Sequence, residues 1–302
     1  MSFALGARTG FSFIEEAVYG VTPTSPAMQD LPITGHRLTL EKQSVSGAVI
    51  RPDRMGVQLH HGQRSVTGSI EAEFCTDAFD ALLEAAMMSE FDGDVLEIGS
   101  MMRSFTFEDR MTDIALYRKF TGCVVDKMTC RVQPNSQVAL SFGIAGRDQT
   151  ADMATPLNAS YAAMSGNEPF DAYRIVLSEG GDVIAKVSAL NFTLDNQIDP
   201  AFVIGAQAAP RMLAGGAKIS GEMTAYVDNG ALLNKFLNET DSAIEMQCDD
   251  GTTQYTILLP RVKYTGGNLS LENDQARLLT LPFEALFDAG TGTMMRMTKM
   301  TI

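Results

Sequence analysis

The sequence predicts a mainly β protein of two tandem homologous modules, each a β-sandwich or partial barrel with one short flanking helix. Three observations carry this expectation. Residues 64–74 (RSVTGSIEAEF) and 217–227 (AKISGEMTAYV) both alternate apolar and polar side chains, the period of a strand with one buried face. They match at a constant spacing of 153 residues: Val66 with Ile219, Gly68 with Gly221, Ile70 with Met223, Ala72 with Ala225 and Phe74 with Val227. Each is followed by a short amphipathic stretch of helical period.

Residues 1–35 read as an N-terminal arm and 36–147 as the first module. RLTLEKQ (37–43) supplies its first strand, and a long loop over about 44–63 leads to the strand at 64–74. In TDAFDALLEAAMMSE (76–90), Phe79, Leu82, Leu83, Ala86 and Met87 share one helical stripe, with Thr76 or Asp77 as N-cap. DKMTCRV (126–132) and QVALSFGI (137–144) close the module as strands.

Residues 148–187 form a turn-rich linker ending in a hairpin over 174–187, with its turn at Ser178-Glu179-Gly180-Gly181. The second module, 188–290, repeats the order. FTLDNQ (192–197) answers the first strand, Leu194 matching Leu40, and a second long loop covers about 197–215. DNGALLNKFLNET (228–240) places Leu232, Leu233, Phe236 and Leu237 on one stripe, capped by Asp228 or Asn229. GNLSLEN (267–273) and LLTLPFEA (278–285) then match at a spacing of 141, Met128 with Leu269, Cys130 with Leu271 and Phe142 with Phe283. The second module is thus 12 residues shorter between its helix and its last strands. Five segments matching in one order point to internal duplication. The closing stretch, 291–302, contains MMRMTKM and reads as a tail that frays.

With 45% apolar and 20% charged residues among 302, the chain has the means to bury a core. A formal charge of -14 opposes binding to phosphate backbones and anionic membranes, though not the passage of DNA nearby. No apolar run reaches the ~20 residues of a membrane span, and no membrane partner is expected. Without a readable secretory signal, Cys75, Cys123, Cys130 and Cys248 are expected as reduced structural thiols.

Chemistry-bearing patterns are missing. His60 and His61 are adjacent, so on a strand they would face opposite ways, and they read as exposed loop residues; His36 stands alone. No nucleophile–base set or phosphate-binding glycine loop is legible. The acid pairs Glu15-Glu16, Glu108-Asp109 and Asp249-Asp250 read as solvated turns or helix starts. No catalytic, cofactor-binding or metal-binding residue is assigned, no cofactor is expected, and the chain is expected not to be an enzyme.

The opening FIEEAVYGVTP (13–23), with Glu16, Tyr19, Gly20 and Pro23, precedes LPITGHRLTLEKQSV (31–45), a loop carrying IRPDR (50–54) and the strand RSVTGSIEAEF. This arrangement resembles the major tail tube proteins of long-tailed, siphovirus-type bacteriophages with non-contractile tails. The resemblance implies a ring whose inner wall is a continuous β-barrel, stacked on further rings through the long loop. Two modules per chain then imply trimeric rings of pseudo-hexameric symmetry. Arg51, Asp53 and Arg54 would form the inter-ring contact. Partners would be further copies of the chain and the tape-measure, tail-terminator and distal tail proteins. DNA would be in transit only, and the tube would sit in the virion after assembly in the host cytoplasm.

Alternation also assigns a lumen face. With Leu38, Leu40, Ile70, Ala72, Phe74, Met128 and Cys130 in the core, the opposite face shows Glu41, Glu71, Glu73, Asp195, Glu222 and Glu272 against Arg37 and Arg131. Six acids against two bases give that set a net charge of −4, a wall that repels a DNA backbone. The competing reading is a two-module β-barrel binder of carbohydrate or host surface; the absence of Trp speaks against a sugar platform.

Overall fold

The computed structural model describes residues 3–24, 27–48, 52–53, 55–56, 58–269 and 276–302. Its first half runs β1 (Thr9–Glu15), β2 (Gln29–Asp30), β3 (Ile33–His36), β4 (Thr39–Ser46), β5 (Leu59–Glu73), α1 (Asp80–Met87), β6 (Val95–Glu97), β7 (Phe105–Met111), β8 (Leu116–Val132), β9 (Ala139–Gly146) and β10 (Asp148–Met153). The second runs β11 (Val176–Glu179), β12 (Asp182–Val183), β13 (Val187–Asp195), β14 (Asp199–Ala201), β15 (Arg211–Leu213), β16 (Lys218–Tyr226), α2 (Ala231–Leu237), β17 (Ser242–Asp249), β18 (Thr253–Tyr264), β19 (Asn268–Leu269), β20 (Leu278–Ala285) and β21 (Arg296–Thr301). The protein is mainly β, as expected.

The long strand β8 serves two sheets. Its first part pairs with β7 and β10, its last part with β9 and, across the middle of the chain, with β13. The first half orders its strands β2–β1–β7–β8–β10 on one side and β4–β5–β9–β8 on the other. The second half shows the same pairings, β12–β11–β17–β18–β21 and β13–β16–β20–β18. One apolar core runs through both, built on Phe74, Phe142, Phe192 and Phe283.

Two glycines explain why the matched strands carry Gly at the same place. A Cβ on Gly68 would lie 2.3 Å from the Arg37 carbonyl oxygen, and one on Gly221 would lie 2.4 Å from that of Asn191. In each half the preceding backbone, the β3–β4 connection at Arg37 in the first and β13 at Asn191 in the second, crosses at that point with no room for a side chain.

Register refines the sequence matches. Ile70 pairs with Phe142 while Met223 pairs with Leu281. Phe142 therefore corresponds to Leu281 and not to Phe283, a slip of two residues that leaves the buried face unchanged because strand side chains repeat every two. By the same ladder Leu269, paired with Leu279, stands where Cys130 pairs with Leu140; Leu271 lies outside the described residues.

Several expectations are corrected. The loop at 44–63 is shorter, because β4 and β5 extend as a hairpin and place the exposed His60 and His61 on a strand. The loop at 197–215 carries its own small ladder, β14–β15. Neither helix starts where expected: Phe79 and Gly230 occupy the N-cap positions without side-chain bonds. Asn229 does serve α2, accepting from the Ala231 amide at 2.9 Å. The C-terminal stretch does not fray. Strand β21 lies between β18 and β6 with Met295 and Met297 fully buried. The hairpin expected at 174–187 is present, and Gly180-Gly181 make its turn between the paired residues Glu179 and Asp182.

Candidate functional site

The seam between the halves creates a single polar surface. Cross-strand pairing puts Glu71, Ser141, Thr129, Thr193, Ser220 and Glu284 in one row across six strands. A second row holds Glu73, Ala139, Arg131, Asn191, Glu222 and Pro282. A third holds Ser69, Gly143, Lys127, Asp195 and Lys218. Directly paired residues share a face, so these side chains lie opposite the buried Ile70, Phe142, Met128, Leu194 and Ile219.

Local bonds fix the surface. The Glu71 carboxylate accepts from Ser69 Oγ at 2.8 Å and Ser141 Oγ at 3.0 Å. Glu41, exposed on β4, accepts from Thr67 Oγ1 at 2.8 Å. The Thr129 and Thr193 hydroxyls meet at 2.9 Å across the seam. Asp195 pairs with Lys127 at 2.8 Å, and Lys218 with Glu284 at 3.3 Å. Burial raises the Asp195 carboxyl, but the Lys127 hydrogen bond, the Gln197 amide and the charges of Lys127 and Lys218 together outweigh it and hold the group below the usual carboxylate range. The Asp195 bond in turn raises the Lys127 ammonium above its usual value.

The structure thus brings Glu71, Glu73, Asp195 and Glu222 onto one face. Glu272, Arg51 and Arg54 lie outside the described residues. Asp53 sits in an exposed turn and accepts from the Met55 amide at 3.2 Å. Sequence reasoning omitted Lys127, Lys218 and Glu284, although strand parity alone places Lys127 two residues before Thr129. Over the three rows five acids oppose three bases, a net of −2; Glu41 on β4 lies beyond these rows.

The edges of this surface differ from its seam. Strand β13 is paired on both sides, to β16 and β8, whereas among the described residues its counterpart β4 pairs only with β5. At the other end, among the described residues, β19 pairs with β20 alone. An unpaired edge presents backbone donors and acceptors to any strand that reaches it.

The acid pairs correct another expectation. Glu16 is buried, and its carboxylate accepts from the Gly20 amide at 2.6 Å, the Gly122 amide at 2.9 Å, Ser104 Oγ at 2.8 Å and Thr106 Oγ1 at 2.7 Å. The Tyr19 ring packs where a Cβ on Gly122 would otherwise stand, 3.0 Å away. The motif at 16–20 is therefore a clamp that pins the opening segment onto β8. Glu108 and Asp109 are buried in β7, with Glu108 accepting from Tyr161 Oη at 2.6 Å and Asp109 bonded by Arg118 Nε at 3.0 Å. His36 stacks on Phe11 with ring centroids 4.6 Å apart.

Cys75, Cys123, Cys130 and Cys248 are buried free thiols; burial raises Cys130 to about 12. Among the described residues no group of three or more His, Cys, Asp or Glu is placed to hold a metal. No helix among them is long and apolar enough to cross a membrane. A family model described as phage tail tube protein matches residues 6–285. No curated protein matches the chain.

Proposed function

The chain belongs to the phage tail tube protein family, a structural component of the virion tail, and we propose that it closes with two further copies into a ring. The observation that supports this reading is the β8–β13 seam. There the last part of one half's long strand pairs with β13 of the next half, over six residues from Lys127↔Asp195 to Val132↔Leu190. The chain's outer edges, β19 and β4, are the counterparts of those two strands. Pairing them between molecules continues the sheet in the same sense. Because such a contact is heterologous, it makes a closed ring when the rotation closes.

In this reading the two halves are duplicated modules, three chains make six, and the polar face lines the lumen. Rings stack through the β4–β5 hairpin, with Arg51, Asp53 and Arg54 as inter-ring contacts, into a siphovirus-type tail. The tube is assembled in the host cytoplasm with tape-measure, tail-terminator and distal tail proteins, and conducts DNA during ejection without binding it. Electron micrographs of assembled tubes, averaged without imposed symmetry, test the ring order. Three chains per ring are expected, and six identical chains would refute the arrangement.

A further inference from the structure

Two sets of exposed apolar residues lie far apart in the sequence, one near residue 4 and one around α2. Phe3 is 77% exposed and Leu5 57%, while Leu237, Tyr226 and Val227 are 63%, 49% and 40% exposed. The covered counterpart of the second group shows what is missing.

In the first half, Pro169–Asp171 inserts as a short strand beside Phe74. The Phe170 amide donates to the Phe74 carbonyl at 2.8 Å, and the Val138 amide donates to the Phe170 carbonyl at 2.9 Å. The Phe170 ring lies 4.9 Å from that of Phe74 and 5.8 Å from that of Tyr255, and all three are buried. Helix α1 beside them buries Leu82, Leu83, Ala85, Ala86 and Met87, whereas α2 buries only Leu232.

The second half has the same notch without its wedge. The Val227 amide donates to the Arg277 carbonyl at 3.1 Å, repeating the bond from the Phe74 amide to Val138 at 2.8 Å. Among the described residues, nothing bonds the Val227 carbonyl or the Arg277 amide, the two groups whose counterparts hold Phe170.

The elements next to the first wedge identify the missing one. After Asp171 the chain makes a 3-10 turn, Ala172–Arg174, and enters β11, which pairs with β17. The same sequence of elements opens the molecule: Phe3–Leu5, a 3-10 turn at Gly6–Arg8, then β1, which pairs with β7. Counted back from the turns, Phe3–Leu5 take the place of Pro169–Asp171. The linker wedges into the half that precedes it in ring order. For the N-terminal segment, that half belongs to another molecule.

We propose that Phe3–Leu5 of one copy add as a strand beside Val227 of the neighbouring copy, covering the foot of α2. The proposal rests on the ring reading above. It gives the contact between copies a second component, outside the sheet seam, in which backbone pairing supplies direction and apolar burial supplies strength.

Mixing two full-length variants tests it, one carrying only Ala4→Cys and the other only Val227→Cys, with a short bismaleimide added after assembly. The native thiols are buried, and the unsubstituted chain controls for them. A covalent dimer that forms only in the mixture, together with a roughly tenfold rise in the concentration needed for assembly when residues 1–5 are removed, is the expected result. Rings that form without the crosslink overturn this contact and leave the ring reading standing. A chain that stays monomeric up to millimolar concentration overturns the ring reading and the contact with it.

Discussion

Lys127 on β8 and Asp195 on β13 meet at 2.8 Å across the seam that joins the two halves of the sheet. The pair removes one acid from the field of the polar face, and Lys218 does the same for Glu284. Glu71, Glu73 and Glu222 then carry its net negative charge.

Reversing two of those, Glu71→Lys with Glu222→Lys, is expected to slow DNA release from assembled particles while tubes still form. Charges act over ~8 Å at physiological salt, so the effect is confined to a backbone passing close to the wall. Release kinetics followed with a DNA-binding dye check it, and rates equal to the parent's would count against a lumenal role for this face.

Glu16→Ala is expected to destabilise the fold by about 3 kcal/mol, because four donors lose one buried acceptor. Glu16→Gln keeps part of the network and costs less. Urea unfolding of both variants separates the two; equal losses would mean that packing, not the carboxylate, holds the clamp.

Gly68→Ala and Gly221→Ala are each expected to cost about 2 kcal/mol, since both would press a methyl group into a neighbouring carbonyl oxygen. Thermal unfolding gives the measurement. An unchanged melting temperature in either would show that the crossing strand moves aside freely.

Stability should fall in acid through Asp109. Burial raises its carboxyl, but hydrogen bonds from His36 and Arg118, together with the charges of these groups, outweigh burial and set it below the usual range. A depressed carboxyl contributes fully above the unfolded value of ~3.9 and loses that contribution as pH drops through the lower folded value. Asp109→Asn should therefore be less stable than the parent at neutral pH, by about 3 kcal/mol, with a smaller difference in strong acid. A pH-independent difference would exclude the linkage.

The strands at 37–43, 64–74, 126–132 and 137–144, their counterparts in the second half, and both helices are legible in the sequence because alternation and helical period depend on neighbours along the chain. Similarity alone matches Phe142 two residues away from its ladder counterpart, since apolar residues recur every second position and nothing local chooses among them. Glu16, Glu108 and Asp109 look solvated in the sequence because the donors that bury them, such as Gly122 and Tyr161, come from distant segments. Strand β21 is hidden for the same reason: its partners are β18 and β6, and β6 lies about two hundred residues earlier. Nor can the sequence explain why, by the ladder register, the second half is 14 residues shorter than the first (153 − 139) between these strands, a difference whose physical counterpart is the segment carrying β6.

The β8–β13 ladder is formed within one polypeptide, so its strands meet at a rate that dilution does not change. In a ring of three such chains, every second joint would already be closed before any two molecules collided. Only the alternate joints would respond to concentration, which places control of when the tube grows on the two outer edges of each subunit.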